Sequence, residues 1–494
     1  MESDFRPFGR VMLLKPICKG SHYGDRWLPT GLAYISHALN RAGIDQTVLD
    51  MGLGYDLEAL KEIIHKRRPD LLGVSMVSLG YRYIYRMLED LKYTFPELAI
   101  VVGGPHVSTL REDVLRQCPA IDFGVVLEGE ETIIELCKGQ KPYFEIKGLL
   151  YREEGGVIYT GDRPFIQDLD GVGFPTYSQF EMEKYGHDFC PAIVTSRGCP
   201  YNCTYCTVKT IIGRQFRMRS AKSVVDELEF LYAKGYRHIG IADDNFTLVR
   251  ERIVEICNEI ESRHFDGLKL SLGTGVRADK VDCMLLARMR EVGFFYLAFG
   301  VEAGNNRILK RIRKGEQIEV IERAIADACD LGYIVTLFFL LGSPEETESD
   351  VHDSLNLALR YPVYDIRFYH IIPYPGTELF AWLRDNNYLL ASPENYLNDT
   401  DRWFNQPVFE TPELSRESRI QLYRQVNRKA YLHTLPVKRR LHLENVSVKF
   451  QQFGIPRWLS RKLSMLYFSH MVQLCLLTGM GCRLKVLFRL IVNL

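Results

Sequence analysis

Apolar residues fall along this chain in short runs separated by amphipathic stretches. Over residues 10–140 the runs are VMLL from 11, TVLDM from 47, LLGVSM from 71, AIVVGG from 99 and FGVVLEG from 123. Continuous apolar runs of this length predict strands buried on both faces, as in a parallel sheet. The stretches between them carry helical spacing. In GLAYISHALNRAG, Leu32, Ile35 and Leu39 share one face, and Gly43 suits a left-handed cap. Five such strand–helix units predict a flavodoxin-like doubly wound sheet in the order 2-1-3-4-5, with ligands beyond the carboxyl ends of its strands.

A looser stretch, 141–190, contains Gly155-Gly156, Pro164 and Pro175 and reads as a linker with short strands. Alternation then resumes with AIVTSRG (192–198), HIGIADD (238–244), LKLSLGTG (268–275), YLAFGVEAG (296–304), IVTLFFLLGSP (334–344) and DIRFYHIIPYPGT (365–377). Between the first two, DELEFLYAKG places Leu228, Leu231 and Tyr232 at helical spacing and ends on Gly235. Six units predict a (β/α)6 partial barrel over 191–384. Residues 385–494 lose this rhythm and read as mainly helical.

Composition narrows the class. The 494 residues suit about three domains, and 46% hydrophobic with 25% charged residues is ordinary for a chain with a real core. The net charge is zero, so nothing global suggests nucleic acid. MESDFRPFGR has early acids and no apolar h-region, so no secretory signal is expected. Twelve scattered cysteines do not form a disulfide framework. They fit a reducing cytoplasmic compartment, where clustered thiols mean metal or catalysis.

One cluster exists. TSRGCPYNCTYCT places Cys199, Cys203 and Cys206 at C-x3-C-x2-C spacing, at the end of the first barrel strand. A structural zinc site needs four ligands, and no second pair follows. A [4Fe–4S] cluster held by three thiolates keeps one iron open for a substrate or cofactor. Barrel active sites lie at this end of the strands.

This triplet, with an aromatic residue before its last cysteine, resembles that of the radical S-adenosylmethionine (SAM) superfamily, over roughly 190–380. The resemblance implies that Cys199, Cys203 and Cys206 ligate the cluster and that its open iron holds the methionine end of SAM. Reductive cleavage of SAM would then give a 5′-deoxyadenosyl radical that abstracts hydrogen. It also implies Tyr205 near the adenine, Asp243, Asp244 and Asn245 near the SAM amino group, and Glu302 at the ribose or amino group. The other reading of 243–245 is a helix N-cap. Arg277 either pairs the SAM carboxylate or binds Asp279. Gly342 in LLGSPEE implies close backbone approach to adenine, and PYPGT (373–377) a structural turn.

The N-terminal unit resembles the cobalamin-binding branch of the same superfamily, which contains methylases and the anaerobic cyclase of bacteriochlorophyll synthesis. The match is carried by LPTGLAYISHAL, Ser75 in GVSMVS, Gly103 and Gly104 in VVGGPHVS, and LEGEET at 127–132. It implies that Ser75, Gly103 and Gly104 line a channel for the cobalamin nucleotide tail. The D-x-H-x-x-G cobalt motif is absent from KPICKGSHYGDRW, so His22 is read as a loop histidine and Cys18 as unligated.

From 436 to 494 ten Lys/Arg face one acid, Glu444, and twenty residues without formal charge, 463–482, lie between Lys462 and Arg483. The expectations are peripheral contact with a membrane or packing on the chain's own domain, with a spanning helix the lesser alternative. Together these readings describe a hydrogen-abstracting radical enzyme, expected to methylate an unactivated carbon of a small, hydrophobic or lipid-like substrate, fed by an electron donor such as a flavodoxin or ferredoxin. Cyclisation, coupling or oxidation without methyl transfer, and a non-catalytic cobalamin- or lipid-binding regulator, are the alternatives.

Overall fold

The computed structural model describes residues 7–17, 28–186, 190–403 and 406–452, and side chains as far as 441. His22, Cys18 and the segment 463–482 lie outside the described residues. No described helix is long and apolar enough to cross a membrane.

The first sheet has seven strands: β1 (Arg10–Lys15), β2 (Asp45–Asp50), β3 (Leu71–Ser75), β4 (Ala99–Gly103), β5 (Phe123–Val125), β6 (Leu149–Glu153) and β7 (Gly156–Tyr159). Their order is β2-β1-β3-β4-β5-β6-β7. The first five are parallel and take the expected 2-1-3-4-5 order, while β6 and β7 join antiparallel. The stretch read as a linker thus completes the sheet on its β5 side. Its short strands alternate around Gly155 and Gly156, both left-handed, which suits a hairpin. The helix Thr30–Arg41 ends as its sequence requires: Gly43 is left-handed (φ +71°) and Ile44 N donates back to the Leu39 carbonyl at 3.0 Å.

The second sheet contains β8 (Ala192–Ile193), β11 (His238–Ile241), β12 (Lys269–Val276), β13 (Phe294–Glu302), β14 (Ile334–Leu341) and β15 (Asp365–His370). All five pairings are parallel, in chain order, which makes the six-stranded partial barrel. AIVTSRG does not form one strand. After β8 the chain leaves the sheet and forms β9 (Ser196–Arg197), which pairs antiparallel with β10 (Arg217–Met218). This small ribbon carries the cysteine loop.

The two units are joined beside that ribbon. Glu128, just past the carboxyl end of β5, accepts from Arg197 at 2.9 Å and from Arg217 at 2.7 Å. Glu130 accepts from Arg197 at 2.7 Å. All four side chains are nearly buried. Arg197 also lies over the Tyr34 ring, whose hydroxyl donates to the Val194 carbonyl.

The helix Arg416–Gln452 lies along β15. Asn427 Nδ2 donates to the Phe368 carbonyl, and Lys438 pairs with Asp365 at 2.6 Å. Its start is anchored by Arg419, fully buried against Phe409 and donating to the Leu341 carbonyl. Burial pulls the Arg419 pKa down to about 10.

Removing one partner of a buried ion pair leaves an uncompensated charge and costs about 3–5 kcal/mol. Glu128→Ala strands Arg217 and half of Arg197. We expect its first urea-unfolding transition to move to lower denaturant by that order, whereas Glu62→Ala, exposed on the helix Leu57–Arg67, leaves the transition in place.

Candidate active site

The cysteine loop is built by constraints on its backbone. Gly198 sits at φ +89°, and a Cβ there would fall 2.2 Å from the Gln215 carbonyl oxygen. Only glycine can turn the chain from β9 into the loop. Cys199 N donates to the Gly213 carbonyl at 3.3 Å. Thr204 N donates to the Ile312 carbonyl at 3.1 Å, and Leu379 N donates to the Thr204 carbonyl at 3.0 Å. The loop is therefore tied to the segments after β13 and β15.

Cys199, Cys203 and Cys206 are free and half-buried. Burial raises the Cys203 thiol, while the charges of Lys314 and Arg277 pull it down and so favour thiolate. Burial pushes Cys206 up to about 11, reinforced by Cys203, Cys199 and Asp244. Among the described residues no group of three Cys, His, Asp or Glu side chains converges where a single ion would sit. A four-iron cluster is wider than one ion and takes each thiolate on a separate iron, so the set fits a cluster.

The three residues after β11 divide by face. Asp243 is buried and engaged with the strand beside it, accepting from Thr195 N and Thr195 Oγ1 at 2.6 Å and Ser196 Oγ at 2.5 Å. It holds the β8–β9 step that aims the cysteine loop. Asp244 points the other way, close enough for its charge to act on Cys206. Among the described residues it has no hydrogen bond or ion pair. Burial, with Asp243 adding to it, raises its pKa to about 6. Asn245 is buried with both amide atoms unpartnered. None of the three side chains caps a helix. A carboxylate without a protein partner near Cys206, followed by a buried amide without one, fits the ammonium and carboxylate of a SAM methionine end.

Glu302 closes β13 at φ +67°, a rare conformation for a residue with a side chain. Lys314 Nζ lies 3.3 Å from its carboxylate, and the Tyr205 hydroxyl bonds to it. Tyr205 packs against the core cluster that residues of the N-terminal sheet share with the segment 371–409. Arg277 binds Asp279 at 2.9 Å, donates to the Lys314 carbonyl at 2.7 Å and stacks 3.4 Å from the Tyr201 ring. Of its two expected partners, the structure gives it Asp279. Lys314, buried and shared between Glu302 and Glu316, was not singled out from the sequence. It lies in a polar turn, RIRKGEQ, without periodicity to mark it.

Gly342 follows directly on β14. A Cβ there would fall 1.6 Å from the Arg419 guanidinium, so the glycine makes room for Arg419. Glu346 accepts from Gly342 N at 2.6 Å, and its pKa is pushed up to about 7 by burial. Thr377 of PYPGT accepts from Phe380 N and starts the next helix, the structural turn expected.

In the N-terminal sheet, Ser75 and Gly103 are register partners at the carboxyl ends of β3 and β4. Gly104 is glycine for an internal reason: φ is +102° and a Cβ would meet the Met76 carbonyl oxygen at 2.8 Å. Gly103 has no such reason, since a Cβ there makes only ordinary contacts, the nearest at 3.7 Å. Its small size leaves room beyond the sheet edge, which fits a nucleotide tail lying against backbone.

The Radical SAM superfamily description matches residues 193–358, and the B12 binding domain description matches 20–137. Over 371 residues the chain is 33% identical to the uncharacterized methyltransferase PH0819 of Pyrococcus horikoshii, covering 74% of this chain and 80% of that protein. Over 394 residues it is 28% identical to the anaerobic magnesium-protoporphyrin IX monomethyl ester cyclase of Rubrivivax gelatinosus, covering 76% and 70%. Its fold is similar to that of the radical SAM methyltransferase TsrM of Kitasatospora setae, solved with cobalamin and a [4Fe–4S] cluster: TM-score 0.66, 20% identity, 77% of this chain and 75% of that one. The chain belongs to the radical SAM superfamily, in the group that joins a B12-binding domain to the barrel. It is accordingly an enzyme of the cobalamin-dependent, iron–sulfur class.

The adjacent aspartates separate experimentally. Asp244→Asn is expected to fold normally and keep the iron–sulfur absorbance but weaken SAM binding about tenfold or more, the worth of a charge-assisted hydrogen bond. Asp243→Asn instead leaves Thr195 and Ser196 facing an amide and lowers both unfolding temperature and cluster retention. Equilibrium dialysis with labelled SAM and the visible spectrum check both.

Proposed function

We propose that this enzyme removes hydrogen from an unactivated carbon of a small organic substrate and methylates that carbon through cobalamin. The observation that carries the reading is the Glu128 junction. It joins the carboxyl end of β5 to the ribbon of the cysteine loop, so the ligand-binding ends of the two sheets adjoin. A methyl donor on the first sheet is then next to a radical source on the second. When bound, the cluster and SAM supply a hydrogen-abstracting radical, and cobalamin supplies a transferable methyl group.

The protein's share is binding and orientation. Cys199, Cys203 and Cys206 hold the cluster. Asp244 and Asn245 take the polar end of SAM. Glu302, fixed by Lys314 and Tyr205, offers a carboxylate to its amino group or ribose. Ser75 and Gly103 leave the channel for the cobalamin tail. The similarity to PH0819, named as a methyltransferase, supports methyl transfer. The similarity to the cyclase supports a second reading, ring closure without methyl transfer. A hydrophobic substrate, and membrane contact by 463–482, are supported by that segment's twenty uncharged residues and the ten cations on either side of it.

The test is anaerobic reconstitution, addition of hydroxocobalamin, gel filtration and visible spectroscopy, followed by SAM carrying a labelled methyl group under reducing conditions. Stoichiometric retained corrinoid that acquires the label, with 5′-deoxyadenosine formed, is the expected result. A folded protein with an intact iron–sulfur band and no retained corrinoid removes the methyl-transfer reading.

A further inference from the structure

The inner face of the half-barrel carries an aromatic and cationic wall that none of the groups above uses. Alternation along the strands assigns the faces. Leu297, Phe299, Leu337, Phe339, Ile366 and Phe368 enter the core on the helix side. Tyr296, Phe338, Arg367 and Tyr369 therefore take the other face. Their contacts agree: Tyr296 donates to Thr336 at 2.9 Å, the Phe338 and Tyr369 rings lie 6.1 Å apart, and Arg367 Nη1 is 3.4 Å from the Tyr369 hydroxyl. The register sets their height. Glu302 pairs with Phe339, and Phe339 with Phe368, so Arg367 and Tyr369 flank the level of Glu302. On β12 the inner position is Gly273, where an added Cβ meets nothing within 4 Å. That side of the lumen is open.

Charge adds a second observation. Asp365 accepts from Arg367 Nε and from Lys438 Nζ, each at 2.6 Å. Two cations share one carboxylate, so the group carries a surplus positive charge. Arg367 keeps 47% of its side chain exposed and Tyr369 is 42% exposed. An exposed guanidinium beside an exposed ring on a concave face contributes nothing to the core. It is suited to a ligand with an anionic end and a flat apolar body, since guanidinium donors match a carboxylate in one plane and aromatic side chains stack on rings.

We infer that this wall is the substrate-recognition surface and that the substrate is a planar aromatic molecule bearing a carboxylate. The carboxylate pairs with Arg367, and the ring lies against Tyr369 and Phe338. The inference rests on the proposed function, because it names the substrate class of that site.

Fluorescence titration of the reconstituted enzyme with 2-naphthoate, in the presence of SAM, tests it. 2-Naphthamide serves as the uncharged match and decanoate as the carboxylate without a ring. Saturable binding of 2-naphthoate is expected, with decanoate a poor competitor. Arg367→Gln should weaken 2-naphthoate about tenfold or more and leave 2-naphthamide unchanged, as loss of a charged hydrogen bond predicts. Tyr369→Ala should weaken both. Arg367→Lys, which keeps the charge without the fork, should fall between and stands in if the glutamine variant does not fold. Unchanged 2-naphthoate affinity in the arginine variants, decanoate binding as well as 2-naphthoate, or no saturable binding overturns the inference. Reductive SAM cleavage measured in parallel separates the two claims: wild-type protein that binds 2-naphthoate through Arg367 but cleaves no SAM sinks the proposed function and leaves the recognition wall standing.

Discussion

The structure depends on Glu128. One carboxylate holds two arginines that face each other across the β9–β10 ribbon, Arg197 and Arg217, which are register partners. A side chain buried to this degree cannot stay charged without such partners, and neither can they. Domain junctions within a chain are ordinarily polar and mobile. This one is desolvated and geometrically specific, with Arg217 Nη1 donating to both carboxylate oxygens. The residue after Arg197 is Gly198, whose conformation admits no side chain, and the next is Cys199. The position of the first cysteine of the triplet is therefore set from the other domain.

The same economy governs the end of β11. Two neighbouring aspartates in the turn after β11 meet opposite demands. Asp243 looks into the layer that supports the cysteine loop and is satisfied there. Asp244 looks toward the loop and is not. An acid left unpartnered in a half-buried site raises its own pKa, so a cationic ligand gains more there than it would in water. Glu302 reaches the same site by a strained backbone turn and is held by Lys314. Strain of this kind persists only where surrounding contacts over-determine it.

Much of this was legible in the residues. Apolar runs are local, and they carried the five parallel strands of the first sheet and the six of the second. The cysteine spacing is local too. What the residues did not carry are interactions between positions far apart in sequence. AIVTSRG reads as one strand, and it breaks because Asp243 pulls Thr195 and Ser196 out of line. LEGEET is recognisable as a pattern, but its partners lie about seventy and ninety residues later. Gly342 in LLGSPEE invites a ligand explanation, and its immediate neighbour proves to be Arg419 of the last described helix. Lys314 had no signal, since a buried lysine in a polar turn looks like any surface lysine.

Arg419 gives the C-terminal helix a place in the catalytic unit. A fully buried guanidinium loses its hydration, and the Leu341 and Phe409 carbonyls, the Phe409 ring and the charges of Glu346 and Glu410 take its place. Glu346 in turn binds the amides of Gly342 and Ser343, at the carboxyl end of β14. The same helix, farther along, brings Lys438 to Asp365 and so leaves Arg367 with unneutralised charge. One helix thus fixes the backbone at the end of β14 and sets the electrostatics of the inner wall on β15. Because both effects come through side chains on a single rigid element, a shift of that helix would change the loop at Gly342 and the charge at Arg367 together.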